Sequence, residues 1–239
     1  MTGLPERDPM ADLVQRSVGA RVDSVAVEVL EAPEDVERKR LRFDSPTGPS
    51  SAIFERLPRG EAVEAQLLPF LARKTDRVPV VHSRGLPPPH ASLGPWILIE
   101  DVFGGEPACD GDPIAILEAK RAIESAVERD LPALRALGLR DSVHDLPHAL
   151  ASAPQSLVHG DLICANGLRV ARGVVIVGWR HAFIGPAALD AAALALDLEQ
   201  RDRHAEAQAV RTAAGDATLL AEAERFLLRA PRQQETLPS

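Results

Sequence analysis

The sequence predicts an α+β chain of two lobes, a small antiparallel sheet first and a mainly helical lobe after it. Three observations carry this. Short runs of strand character crowd the first hundred residues, the Gly-rich stretch FGGEPACDGD interrupts the pattern at Phe103–Asp112, and Ala- and Leu-rich helical spacing dominates the rest. A length of 239 residues suits one large domain or two small lobes. The reading is residues 1–102 for the first lobe, 103–112 for a hinge, and 113–239 for the second lobe.

The elements follow in order. Ala11 to Ala20 can form a short helix. Val22 to Leu30 alternates apolar and polar residues and is Val-rich, which is strand character. Arg38 to Phe43 and Ala52 to Leu57 are two further strands, with SPTGPS between them as a turn. Glu61 to Lys74 places Val63, Leu67, Phe70 and Leu71 on one helical face, with Pro69 as a kink or stop. Val78 to Val81 and Trp96 to Val102 complete the strands. Pro113 then opens a strong helix to Asp130 with Ile116, Leu117, Ile123 and Val127 as its buried stripe, broken at Pro132. Leu157–Val158 and Val174–Val177 are short β runs, Ala187 to Arg229 is helical, and the tail after Pro231 frays.

Composition excludes several functions. With 45% apolar and 26% charged residues the chain is globular, and a net charge of −8 disfavours nucleic acid as a partner. The basic run at Arg38, Lys39, Arg40 and Arg42 is short and reads as a solvated strand. No stretch approaches a membrane span and the first residues lack an apolar leader core, so a cytoplasmic protein is expected. Cys109 and Cys164 form neither a disulfide framework nor a zinc pair, which suggests a reducing compartment, with Cys164 as a packed small side chain. The scattered histidines, among them His82, His148 and His204, show no HExxH pairing. Neither a P-loop nor a dinucleotide fingerprint is present. Trp96 and Trp179 adjoin strands and read as core.

Chemistry concentrates in LVHGDLICAN, Leu157 to Asn166. An Asp and an Asn five apart on a loop between two strands can face one bound phosphate. The carboxylate would take a proton from an attacking hydroxyl, and the amide oxygen would ligate a divalent metal.

That loop, followed by GVVIVGWRHAFIGPAALDAAALALD, resembles the catalytic and metal-binding segments of aminoglycoside phosphotransferases and their choline-kinase-like relatives. AIFERLP looks like the strand that carries the family's ATP lysine, EAVEAQLLPFL like the helix whose Glu pairs with it, and WILIEDV like the adenine hinge. The resemblance implies a two-lobed protein-kinase-like fold with ATP and magnesium as cofactors. It makes Asp161 the catalytic base, His159 a loop organiser, Asn166 a metal ligand and Asp190 the buried acid that ties down the loop. Glu64 would be the ion-pairing Glu. Glu100, Asp101 and Val102 would be the hinge, with Arg42 and Arg56 as further nucleotide-side groups.

Two departures stand out. The family's metal-chelating Asp corresponds to Gly178, before Trp179, and the family's Lys corresponds to Glu55 or, one residue on, Arg56. Lys39, Arg40 or Arg42 could compensate on the phosphate side, and His181 on the metal side. Two functions follow as expectations. One is a divergent phosphotransferase acting on a hydroxyl of a small molecule or a peptide Ser/Thr, with a partner protein completing the site. The alternative is a catalytically impaired pseudokinase that binds a peptide, a metabolite or a partner.

Overall fold

The computed structural model describes residues 9–19, 21–59, 61–88, 91–141 and 146–229. The tail expected to fray after Pro231 lies outside them. The chain divides into two compact units. The first takes the chain up to Arg73 together with Pro79–Gly104, and the second takes Lys74–Val78 together with everything from Gly105.

The first unit is built on an antiparallel sheet in the order β1-β2-β3-β5-β4. Its strands are β1 (Ala26–Val29), β2 (Glu37–Ser45), β3 (Gly48–Arg56), β4 (Val81–Gly85) and β5 (Trp96–Glu100). A period of two sorts β2 and β3 into faces. Leu41 and Phe43 on β2 and Ala52 and Phe54 on β3 pack with Leu98 against Ala11 and Val14 of helix α1 (Pro9–Val18). Phe54 and Trp96 stack on that side at 5.9 Å. The residues between them, Arg38, Arg40, Arg42, Ile53 and Glu55, point to the other face, with Arg38 opposite Glu55 and Arg40 opposite Ile53. The turn is tighter than SPTGPS suggested: pairing runs to Ser45 and Gly48, and Gly48 takes φ 114°.

Helix α2 (Val63–Leu71) buries Ala65, Leu67, Leu68 and Leu71 and contains Pro69. Proline has no N–H to give the carbonyl four residues back. That carbonyl, of Ala65, accepts instead from the Arg84 guanidinium at 2.9 Å, so the helix continues past the proline. Two strands differ from expectation. The first shrinks to Ala26–Val29, an edge strand exposed along its whole length. The fourth is Val81–Gly85, not Val78–Val81. Val78 is buried, but in the second unit, and its apolar character misled the pattern.

In the second unit, α3 (Ile114–Val127) starts one residue after Pro113 and buries the expected stripe. A short 3-10 turn leads into α4 (Leu131–Ala136), where Pro132 sits in the first turn, so this proline starts a helix as well as breaking one. After α5 (His148–Ala151) comes β7 (Gln155–Val158), antiparallel to β10 (Phe183–Pro186). A three-stranded sheet runs β6 (Glu106–Pro107), β8 (Gly167–Val170), β9 (Gly173–Ile176). Residues 74–78 lie along its β9 side: Ile176 N–H donates to the Arg77 carbonyl at 2.8 Å, and Arg172 donates to the Asp76 carbonyl at 2.9 Å. Helices α6 (Ala188–Gln200), α7 (His204–Ala214) and α8 (Ala217–Arg229) pack together. Arg211 binds Glu199 at 2.8 Å and Glu224 at 2.6 Å across them. Among the described residues no helix is long and apolar enough to cross a membrane.

The cysteines correct the sequence reading. Cys109 and Cys164 are joined in a disulfide, with Cα atoms 5.4 Å apart. They stand 55 residues apart in sequence, so spacing carried no sign of the bond. Pairing of β6 with β8 brings the turn Ala108–Asp110 beside the turn Cys164–Asn166, and both cysteines are buried there.

Candidate functional site

Strand β7 ends at Val158 and delivers His159, Gly160 and Asp161 into a loop held from below by one helix. Asp190, in the first turn of α6, is 1% exposed and accepts hydrogen bonds from the His159 amide at 2.8 Å and the Gly160 amide at 3.1 Å. A carboxylate so buried needs a compensating charge. Lys120 of α3, also 1% exposed, supplies it at 2.9 Å. Lys120 also donates to Glu124 and to the Leu157 carbonyl. Burial pulls the Lys120 ammonium down, but the charges of Asp190 and Glu124 outweigh it and the pKa is raised. Asp190 thus holds the two loop amides with Lys120 as its counter-ion.

His159 is fully buried. Its Nε2 lies 2.9 Å from the Val177 carbonyl, so Nε2 carries the proton, and Nδ1 accepts from the Asp161 amide at 3.3 Å. Burial pushes this imidazole below its ordinary range, against the raising influence of Asp190. Its ring meets Trp179 edge-on at 4.7 Å. The neutral ring links the loop's start to the end of β9. Gly160 takes φ 84°, and a Cβ there would sit 2.3 Å from the His181 carbonyl. His181 therefore closes over the loop through its backbone.

Asp161 and Asn166 are brought together. The Asn166 amide nitrogen donates to the Asp161 carbonyl at 2.7 Å and lies 3.3 Å from its carboxylate. Asn166 Oδ1 turns towards Gly178, where a Cβ would lie 3.2 Å from it. Gly178 adopts φ 79°, ψ 49°, the left-handed conformation. At the loop's far end Asp197 accepts from the Cys164 amide at 2.9 Å. Asp190 and Asp197 are seven residues apart on α6, two turns, so one helix face holds both ends of the loop.

The residues expected on the nucleotide side lie in the first unit. Glu55 is buried on the sheet face opposite α1 and is ion-paired with Arg38, whose guanidinium also stacks on Phe103. Arg56 lies on the other face, against Phe54 and 3.1 Å from Glu37. Glu55 and Arg56, the two residues expected at this place, thus lie on opposite faces of the sheet. Asp101 accepts from Arg40 at 2.7 Å and from the Phe103 amide at 3.2 Å. Glu100 accepts from the Val80 amide at 3.1 Å, and Val102 is buried. Arg42 is exposed and paired with Glu28 at 2.8 Å, and Lys39 is 2.5 Å from Glu37. Glu64 is buried on α2.

Sequence reasoning missed Lys120, Asp197 and Arg38. Lys120 had a signal, a cation at the centre of the stripe Ile116, Leu117, Ile123, Val127. Arg38 had one too, standing across β2–β3 from Glu55. Asp197 had its seven-residue spacing from Asp190.

The implied cofactors can be tested against these groups. Magnesium takes near-octahedral oxygen ligands and is held through one or two carboxylates plus phosphates. Here the donors are the Asp161 carboxylate and the neutral Asn166 amide oxygen, and the position facing Asn166 is Gly178 with no side chain. Among the described residues no group of three or more His, Cys, Asp or Glu could hold a metal. For the triphosphate, the residue that the resemblance sets at the lysine position, Glu55, is an anion paired with Arg38. Neither donor set fits magnesium-ATP in the way the resemblance implies.

Comparison with solved structures fixes the fold class. The chain has the fold of the aminoglycoside phosphotransferases and choline-kinase-like proteins, the two-lobed protein-kinase-like α+β fold. It is similar to an aminoglycoside phosphotransferase from Streptomyces rimosus at 17% identity, covering 92% of this chain and 96% of that one, with a TM-score of 0.53. A spectinomycin phosphotransferase in complex with ADP and spectinomycin matches at 11% identity, 94% and 85% coverage and a TM-score of 0.61. A choline/ethanolamine kinase family protein from Mesorhizobium loti matches at 16% identity, 85% and 77% coverage and a TM-score of 0.50. No family model and no curated protein sequence matches the chain.

Proposed function

We propose that this chain is a catalytically impaired member of the fold class, a scaffold that binds a hydroxyl-bearing small molecule or a peptide. The observation that carries this is Gly178. It holds the backbone position beside Asn166 but offers no carboxylate. Losing one such ligand removes several kcal/mol of transition-state stabilisation, on the order of 10²- to 10⁴-fold in rate. Glu55, committed to Arg38, supports the same reading. That fold relatives bear the names of small-molecule phosphotransferases favours a small-molecule ligand.

A second reading, ATP-dependent phosphotransfer to a hydroxyl, is favoured by Asp161 and Asn166. They keep an acceptor-ready carboxylate beside an amide oxygen on a tightly held loop. In that reading Asp161 takes the hydroxyl proton, and a partner chain supplies the missing charges.

One experiment separates them. ATP is titrated calorimetrically with and without magnesium, and turnover is measured for the wild type and Asp161→Asn. The scaffold reading expects no magnesium-dependent binding at millimolar ATP and no turnover. Turnover that Asp161→Asn abolishes would overturn it and establish the phosphotransferase.

A further inference from the structure

Of the attachments that hold the loop bearing Asp161 and Asn166, one is chemically different from the rest. Asp190 grips the loop's first amides and Asp197 the Cys164 amide, and both attachments persist at any redox potential. The covalent attachment is the Cys109–Cys164 bond. Cys164 lies inside the Asp161–Asn166 span, three residues after the carboxylate and two before the amide. Cys109 belongs to a different segment, the turn after β6, whose position is fixed by β6–β8 pairing and by Arg203 donating to the Cys109 carbonyl at 2.6 Å. The bond therefore ties the loop to a separate segment of the same unit.

We infer that the Cys109–Cys164 pair is a redox lock on the loop that carries Asp161 and Asn166: oxidised, it fixes the Asp161–Asn166 geometry, and reduced, it lets that span move. The local hydrogen bonding shows why the bond matters here. Within residues 161–166 the backbone-to-backbone bonds are two turn bonds, Ile163 N–H to the Asp161 carbonyl at 3.0 Å and Asn166 N–H to the Ile163 carbonyl at 3.1 Å; beyond the span, the Asn166 carbonyl accepts from the Val177 amide at 3.0 Å and the Cys164 amide donates to Asp197 at 2.9 Å. Such a segment opens at low free energy unless something else holds it. A covalent crosslink inside it removes most of those open states.

The exchange chemistry balances. With a low-molecular-weight disulfide as oxidant, the Cys164 thiolate attacks one of its sulfurs, forming a mixed disulfide and releasing one thiolate. The Cys109 thiolate then displaces the second. The two cysteines lose two electrons and two protons, and the oxidant leaves as two thiols. Reduction by a dithiol runs the same steps backwards. Both cysteines are buried, so either direction requires the loop to open first. The lock does not depend on whether the chain transfers phosphate.

The test uses the full chain. Thiols are first counted by alkylation and intact mass in denaturant, with and without prior reduction. The bonded protein takes up no label and the reduced protein takes up two. Native-state hydrogen exchange is then compared between oxidised and dithiothreitol-reduced protein. Amides of residues 162–166 are expected to exchange at least about tenfold faster after reduction, while strands β2 and β3 of the first unit are unchanged. Reoxidation with a small disulfide restores slow exchange. Cys109→Ala, which leaves the loop's own sequence intact, behaves like the reduced wild type. Two alkylatable thiols that no disulfide oxidant can join would overturn the inference. So would unchanged exchange in 162–166 on reduction, or acceleration spread equally over both units.

Discussion

The catalytic-type loop of the second unit and the sheet face of the first have diverged to different degrees from the same expectation. The loop keeps His159, Gly160, Asp161, Asn166 and Asp190 in a closed set of bonds. The sheet face carries Glu55 where the resemblance implies a cation and is lined with Arg38–Glu55 and Arg40–Asp101 ion pairs. The physical difference lies in what each residue holds up. In the loop, Asp190 satisfies buried amides, His159 bridges two segments and Asn166 braces the Asp161 carbonyl, so the fold itself demands them. On the sheet face each carboxylate is matched by a single arginine side chain and holds no loop backbone in place but the Phe103 amide, so one ion pair can be traded for another at smaller cost. A preserved HGD is thus evidence of fold first and of catalysis second.

This contrast can be broken most directly at Lys120. Lys120→Met removes the counter-ion of a fully buried carboxylate and should cost about 3–5 kcal/mol, read from urea unfolding. Gly160→Ala comes next. With φ 84° and a Cβ 2.3 Å from the His181 carbonyl, both strain and clash apply, and a loss of ~2–4 kcal/mol is expected. Arg40→Ala on the sheet face leaves Asp101 short of its ion partner and should cost only about 1–2 kcal/mol by the same assay. An Arg40 effect larger than that of Lys120 would reverse the comparison.

The smallest effect is one of pH. His159 has a lowered pKa in the fold, so between that value and the unfolded value of about 6.5 the unfolded chain binds more protons. Its contribution to stability is complete above about pH 6.5 and is lost as pH falls through the folded value. Unfolding midpoints should drop between pH 7.5 and pH 5.5, and His159→Gln should flatten that dependence. A midpoint that rises on acidification would mean that the ring gains a proton on folding.

Much of this was legible because local rules and fold agree. Strand character over Arg38–Phe43 located β2, the 3.6-residue stripe set α3, and the ordered motifs from Ala52 to Asp197 pointed to the loop and its buried acid. What was not legible depends on contacts between distant segments. The Cys109–Cys164 bond and the Asp197–Cys164 contact need the β6–β8 pairing and the α6 placement before they exist. Lys120 hid because a lysine at a buried helical position reads as a surface residue until its counter-ion, 70 positions later, is known. Val78 misled for the opposite reason, since its apolar character was real but served the other unit.

That displaced segment also governs how the protein can be taken apart. Because residues 74–78 belong to the second unit while the chain on either side of them belongs to the first, the backbone passes between the units three times. No single cut separates them. A fragment beginning at Gly105 would expose the Ile176 amide and the Arg172 guanidinium that residues 76–77 now satisfy. During synthesis the segment emerges from the ribosome long before its partner strand, so the second unit cannot close that side of its sheet with a freshly made residue and must recruit one already built into its neighbour's sequence.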